Sequence, residues 1–269
     1  MTKRLINLAL IAITLAIVSG ASAQRFRGSP QTPLAPPGDV PTGEFQFARM
    51  IYTDNGYNRR GGRGWWSQDW PDAEQHFFLG VSRLTRLEIG EPVTLQLTDE
   101  HLFDYPWLYA TQVGYWSLSD EELASLREYL LRGGFFMTDD FFGDGEWSVF
   151  AETMGRLFPD RPMKKIPLDD PILHVVYNID SFTQIPGLRH IGCGFGGRGG
   201  RGGGFGSTGL PAPEWLGIYD DDDRLMVAIN YNQDVGDAWE EADDPCYPQP
   251  MTALAYRIAI NYVTYAMTH

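Results

Sequence analysis

The sequence is nearly empty of cysteine. Cys193 and Cys246 are its only two among 269 residues, and no CxxC pair occurs, which excludes the common zinc and dithiol redox motifs. Histidine is also sparse. His76, His101, His174, His190 and His269 are scattered, with no HxxxH or HExxH spacing, so no histidine-based zinc site is encoded. Positive charge is short: 21 Lys and Arg stand against 35 Asp and Glu, for a formal net charge of −14. Such a balance opposes binding to nucleic acid or anionic membranes. It is compatible with cationic or polyhydroxylated ligands. Beyond the first twenty residues, no run is long and apolar enough to cross a bilayer.

What is present begins with a leader. Lys3 and Arg4 precede an apolar stretch from Leu5 to Val18, and Ala21-Ser22-Ala23 gives a small-x-small cleavage pattern. Residues 1–23 therefore read as a signal peptide. The expected destination is periplasmic or secreted, with no stable membrane insertion after cleavage. In an oxidising compartment Cys193 and Cys246 could form a disulfide, with two unpaired thiols as the alternative. Residues 24–43 carry Pro30, Pro33, Pro36, Pro37 and Pro41 and few large apolar groups. That composition cannot offset its own ordering entropy and reads as a disordered linker. A single α/β domain is expected over 44–269, interrupted by a Gly/Arg-rich loop at 194–206. Composition marks that loop as flexible surface, and without a following Gly-Lys-Ser/Thr it is no phosphate loop.

Strand and helix signals alternate along the domain. Phe45 to Tyr52 reads as a strand, and a helix is expected after Pro71, with Ala73, Phe77, Val81 and Leu84 at helical spacing. Val93 to Leu97 alternates as a short strand. Trp107 to Thr111 is an apolar strand, and Ser119-Asp120-Glu121-Glu122 is a capping box. Leu123, Leu126 and Leu130 form the stripe of the helix it opens, and Gly133-Gly134 stops that helix. Phe135 to Thr138 is apolar on both faces, as in a parallel strand covered on each side. Trp147, Phe150, Met154 and Leu157 mark another amphipathic helix. Ile172 to Tyr177 reads as a candidate strand, Trp215 to Tyr219 and Leu225 to Asn230 as a hairpin, and Met251 to Met267 as a closing helix. The sum is a three-layer α/β/α sandwich with a mostly parallel sheet.

Several of these segments, taken in order, resemble a bacterial family, domain of unknown function 4159. They include Phe47-Ala-Arg-Met-Ile-Tyr52, Trp66-Ser-Gln-Asp69-Trp-Pro71, Asp104 to Thr111, Leu126 to Asp140, Arg224 to Ile229, Asp234 to Trp239 and Arg257 to Tyr262. The resemblance implies a class I glutamine amidotransferase-like, flavodoxin-like fold and no settled activity. Amidotransferase chemistry needs a cysteine on a tight Gly-x-Cys-x-Gly elbow. Cys193 has no strand-to-helix turn around it, and Cys246 lies between prolines, so that activity is not expected.

Candidate chemistry concentrates in carboxylates. Asp139-Asp140 follows a buried strand and should sit where open α/β sheets bind ligands. Such a pair could hold a divalent cation or share a proton, with Asp144 as an additional metal ligand. Asp144 can equally serve the N-terminus of the helix that follows. Asp54 is placed at the same rim. Trp66 with Asp69, and Asp234 with Trp239, pair an aromatic with an acid, as sugar-binding surfaces do. The alternative is that the tryptophans are core. The expected function is a non-catalytic extracytoplasmic binding or assembly module for a small polar ligand or protein partner, with no cofactor beyond a divalent metal. The alternative is a hydrolase acting on a carbohydrate or similar polar substrate through Asp139 and Asp140, with a metal assisting.

Overall fold

The computed structural model describes residues 43–55, 64–191 and 210–269. In chain order the elements are β1 (Phe45–Ile51), β2 (Thr53–Asp54), α1 (Asp72–Leu84), β3 (Ile89–Gln96), β4 (Trp107–Thr111), β5 (Trp116–Ser117), α2 (Asp120–Leu131), β6 (Phe135–Asp139), α3 (Gly143–Leu157), β7 (Lys164–Lys165), β8 (Glu214–Tyr219), β9 (Leu225–Tyr231), α4 (Val235–Glu240) and α5 (Gln249–Thr268). Among the described residues no helix is long and apolar enough to cross a membrane.

Seven strands make one sheet in the order β3-β1-β4-β6-β9-β8-β7. The first five are parallel, and β8 and β7 join antiparallel. Strands of period two send neighbouring side chains to opposite faces, and here both faces are buried. Phe47, Trp107, Tyr109, Phe135 and Met137 pack on one side with Phe77 and Val81 of α1, Trp239 of α4, and Ile258 and Tyr262 of α5. Ala48, Met50, Leu108, Ala110 and Phe136 pack on the other with Leu123, Leu126 and Leu130 of α2 and Phe150 and Met154 of α3. The molecule is thus a mixed α/β fold with a mostly parallel sheet covered by helices on both faces. A two-stranded ribbon of β2 and β5 stands apart from this sheet.

The Ser119 capping box forms as expected: its hydroxyl accepts the Glu122 N–H while the Glu122 carboxylate accepts the Ser119 N–H. Gly133 ends the turn after α2 at φ 110°, a left-handed backbone that a side chain would strain. Two strand expectations are corrected. Ile172 to Tyr177 is not a strand; Pro171–Leu173 is a 3₁₀ turn capped by Asp170. The N–H groups of Val176 and Tyr177 donate to Asn261 Oδ1 of α5 at 3.1 and 2.8 Å, so no sheet ladder can use them. The strand expected at Val93–Leu97 begins earlier, at Ile89, because the chain keeps pairing with β1 across an irregularity between Gln46 and Ala48.

Numbered by chain order alone, the five parallel strands run 2-1-3-4-5. The connection after β1 goes outward to β3, and β4 returns to the other flank of β1. The winding reverses between β1 and β4, and open α/β sheets bind ligands beyond the carboxyl ends of strands at such a reversal.

Candidate functional site

At that end of the sheet, polar side chains cross the face covered by α1 and α4. Arg49 on β1 is completely buried. Its Nε donates to Glu74 Oε1 of α1 at 2.5 Å, and its Nη1 donates to the carbonyls of Trp66 (3.0 Å) and Gln68 (2.8 Å). The guanidinium lies 4.9 Å from the ring centroid of Tyr109. It thereby fixes the segment that carries Asp69. Burial raises the Glu74 carboxyl to about 7 despite its arginine partner.

Asp139, the last residue of β6, is also completely buried. Its Oδ1 accepts the Tyr109 hydroxyl at 2.6 Å, and its Oδ2 accepts the Val235 and Gly236 N–H groups at 2.8 and 2.9 Å. Those two amides belong to the first turn of α4, so Asp139 ties that helix to β4 and β6. Burial pushes its carboxyl up to about 6, against the pull of these donors. Asp140 turns away at φ 51°. Its Oδ1 accepts Arg189 Nη2 at 2.8 Å, and its Oδ2 accepts the Gln112 side-chain amide. Burial raises it strongly, with Arg189 opposing and neighbouring acids adding to the rise.

The segment after β9 adds more acid. Asp234 caps α4 by accepting the Asp237 N–H at 3.0 Å. Asp237 accepts the Leu188 N–H at 2.6 Å. Burial first, and the field of surrounding carboxylates second, raise Asp234 well above the usual range and lift Asp237 and Glu240 to about 10. Asp69, at φ 61° in the loop before α1, accepts the Gln68 side-chain amide. The nearest carboxylate oxygens of Asp69, Asp234 and Asp237 all lie within 4.8 Å of one another. Arg189 is an exposed cation facing this group, its side chain 54% accessible.

A strap covers the mouth. Asp234 N–H donates to the Ile185 carbonyl at 2.8 Å, Tyr247 Oη to the Pro186 carbonyl at 2.8 Å, and Gln184 Nε2 to the Asn232 carbonyl at 3.0 Å. With Leu188 on Asp237 and Arg189 on Asp140, residues 184–189 are pinned to the acids themselves. A separate concavity of about 650 Å³, lined by residues 242–251, contains none of these carboxylates.

Of the residues singled out in the sequence, Asp69, Asp139, Asp140 and Asp234 come together here. The others are placed outside this group. Asp54 pairs in the β2–β5 ribbon and its Oδ1 accepts the Trp65 N–H at 3.0 Å, which fixes a turn. Trp66 is half-buried and packs against the opposite core cluster. Trp239 is completely buried, edge-on to Phe77 at 4.9 Å, so it cannot present a face to a sugar. Asp144 is exposed in the first turn of α3, where the helix dipole accounts for it, and Asp139, Asp140 and Asp144 form no ligand cluster among the described residues. Cys246 is disulfide-bonded; Cys193 and the glycine-rich loop at 194–206 lie outside the described residues. Sequence reasoning missed Arg49, Glu74, Arg189, Asp237 and Glu240. Asp234, Asp237 and Glu240 recur every third residue, a spacing that puts acids on neighbouring positions of one helical turn.

A family model described as a domain of unknown function (DUF4159) matches residues 46–267. No curated protein matches the chain.

Proposed function

From the premise that the chain belongs to the DUF4159 family, whose description names no activity, we propose that it is a non-catalytic extracytoplasmic binding module whose acidic mouth captures positively charged groups of its ligand. The observation that carries this reading is the convergence of Asp69, Asp139, Asp140, Asp234, Asp237 and Glu240, with the exposed Arg189 paired to Asp140. Burial and mutual repulsion make Asp140, Asp234, Asp237 and Glu240 poor anions on their own, and a cation relieves both penalties. The leader sequence and the disulfide at Cys246 support an oxidising, extracytoplasmic location. The 2-1-3-4-5 order supports a flavodoxin-like ancestry, and a class I glutamine amidotransferase-like relationship is part of the same proposal. A cysteine already in a disulfide is no nucleophile, which supports a module without amidotransferase chemistry.

The second reading is a hydrolase on a carbohydrate or similar polar substrate. It is favoured by the upward shift of Asp139 to about 6, in the range of a general acid. It is weakened by the three donors that already occupy the oxygens of Asp139.

Thermal shift separates the two. Spermidine, a lysine-rich peptide and divalent chlorides should each be tried against wild type and Asp140→Asn. A cation at a hundredfold excess over its Kd stabilises by about 2.7 kcal/mol, roughly 5–10 °C for a domain of this size. Salt should reduce the effect for the organic cations. No shift with any cation, or a shift with neutral oligosaccharides alone, would overturn the binding reading.

A further inference from the structure

Resting on the acidic mouth just described, we propose that Arg189 is a built-in occupant of that mouth, closing it as a latch, and that the ligand group which replaces it on Asp140 and Phe142 is a guanidinium. The protein's own chain shows what this position takes. Arg189 Nη2 donates to Asp140 Oδ1 at 2.8 Å, and its guanidinium lies 5.5 Å from the ring centroid of Phe142. The fields of Asp140, Asp234, Asp237 and Asp69 all act on its charge. The arginine side chain is 54% accessible, whereas that of Asp140 is 2% accessible. The acid is therefore built into the wall, and the cation is the part that can leave.

The moving part is the short turn Leu188–His190. Ile185 before it is completely buried, and its carbonyl accepts the Asp234 N–H, so the strap is fixed there. Two bonds tie the turn to the acids: Leu188 N–H on Asp237 Oδ2 at 2.6 Å, and Arg189 on Asp140. Gly187 is the point of closest approach. A Cβ added there would run into Asp234 Oδ2 and stand 3.0 Å from Asp237 Oδ2, so the backbone lies directly against both acids. Its φ is −65°, which any residue adopts; the position needs glycine for the contact and not for the backbone angle. With the turn down, Asp234 is 2% exposed, and a ligand with a carbon stem does not reach it. The acids that hold the turn are the ones that it covers.

The chemistry of the position selects a guanidinium over an ammonium. A guanidinium is planar and weakly hydrated, and it lies on an aromatic ring while an N–H reaches a carboxylate; an ammonium is a strongly hydrated point charge. Contact with the ring adds about two- to fivefold in affinity at an exposed site. Asp140 Oδ2 is already engaged by the Gln112 amide, so Oδ1 is the oxygen that a ligand takes over from Arg189. The latch weakens capture without abolishing it. A turn lifted in about one molecule in ten lowers apparent affinity about tenfold.

The test is calorimetric titration of the full chain with N-acetylarginine N-methylamide and with its lysine counterpart, alongside hydrogen exchange at the Leu188 amide. Arg189→Gln should bind the arginine compound about tenfold more tightly than wild type, prefer it to the lysine compound by about two- to fivefold, and exchange the Leu188 amide faster. Gly187→Ala keeps Arg189 and every acid, yet should also speed that exchange and tighten binding, because its methyl group props the turn off Asp234. Asp140→Asn added to Arg189→Gln should remove the gain. Arg189 is exposed, so Arg189→Gln carries the test if Gly187→Ala does not fold. An Arg189→Gln protein that binds no more tightly than wild type, or Leu188 exchange unchanged in that variant, overturns the latch. Equal binding of the two compounds overturns the guanidinium assignment. If spermidine stabilises wild type and Arg189→Gln gains nothing, the acidic-mouth reading stands and this one fails; if no cation binds either protein, both fail.

Discussion

Replacing Asp139 gives the sharpest check on how the mouth is held. Alanine at this position would orphan three buried donors: the Tyr109 hydroxyl and the N–H groups of Val235 and Gly236. Each buried unsatisfied donor costs about 1–3 kcal/mol, and a single substitution rarely exceeds about 5 kcal/mol, so Asp139→Ala should lose roughly 3–5 kcal/mol. For a domain of 150–250 residues that corresponds to a melting temperature lower by roughly 6–20 °C. Asp139→Asn should behave differently. Its amide oxygen can accept the two α4 N–H groups, and its NH2 can donate to the Tyr109 oxygen. The charge lost was itself unfavourable: burial lifts the Asp139 carboxyl from 3.8 to about 6. A carboxyl raised in the folded state contributes stability that is full below about pH 4 and is lost as pH rises toward 6. Over that window the loss is roughly 3 kcal/mol. Asparagine escapes it and should lie within about 1.5 kcal/mol of wild type at pH 7. Urea and thermal unfolding at pH 4.5 and 7 measure both variants. Equal losses for alanine and asparagine, or an alanine loss under about 1 kcal/mol, would refute the account of Asp139 as the tie between α4 and the sheet.

Arg49→Ala should cost about 3–5 kcal/mol by leaving Glu74 buried and unpaired, whereas the double replacement Arg49→Met with Glu74→Leu should cost far less; urea midpoints decide between them. The melting temperature should fall as pH rises from 5 to 9, because Asp140, Asp234, Asp237 and Glu240 all bind protons more tightly folded than unfolded. A melting temperature that rises over that window would contradict the buried carboxylate cluster. Ser119→Ala removes one half of the capping box and should lower stability by about 0.5–2 kcal/mol, measurable as a small shift in midpoint with the slope unchanged.

The parallel core was legible because local signals and burial agree there. Trp107–Thr111 and Phe135–Asp139 are short, apolar on both faces and bounded by Pro106, the capping box and Gly133-Gly134, so length and punctuation located them. Residues 161–191 resisted reading because they are held by side chains distant in sequence. Asn261 takes the Val176 and Tyr177 amides, and Asp140 takes Arg189; neither partner leaves a periodic trace. Arg49 and Glu74 did leave one. Arg49 interrupts an otherwise apolar strand, and Glu74 precedes Phe77 and Val81 at the spacing of the buried stripe. A charge on a core face demands a partner, and the two such charges on β1 and α1 could have been paired from sequence. Trp239 misled for the opposite reason: beside Asp234 it resembled a sugar platform, while its burial follows from α4 lying flat on Phe47, Phe77 and Tyr109.

The acids at the mouth divide by how many of their lone pairs the fold consumes. Asp139 accepts three donors across β4, β6 and α4, and its job is complete within the protein. Asp234 and Asp237 accept one backbone N–H each, and neighbouring carboxylates crowd both. Burial and that crowding make the folded chain hold protons on Asp234 and Asp237 more tightly than the unfolded chain does. That retention sets the sign of the predicted pH dependence and also makes the site receptive, since a positive ion replaces the proton without the desolvation penalty of a bare anion. The same strand end thus yields one carboxylate spent on holding a helix and a group of others left buried and crowded.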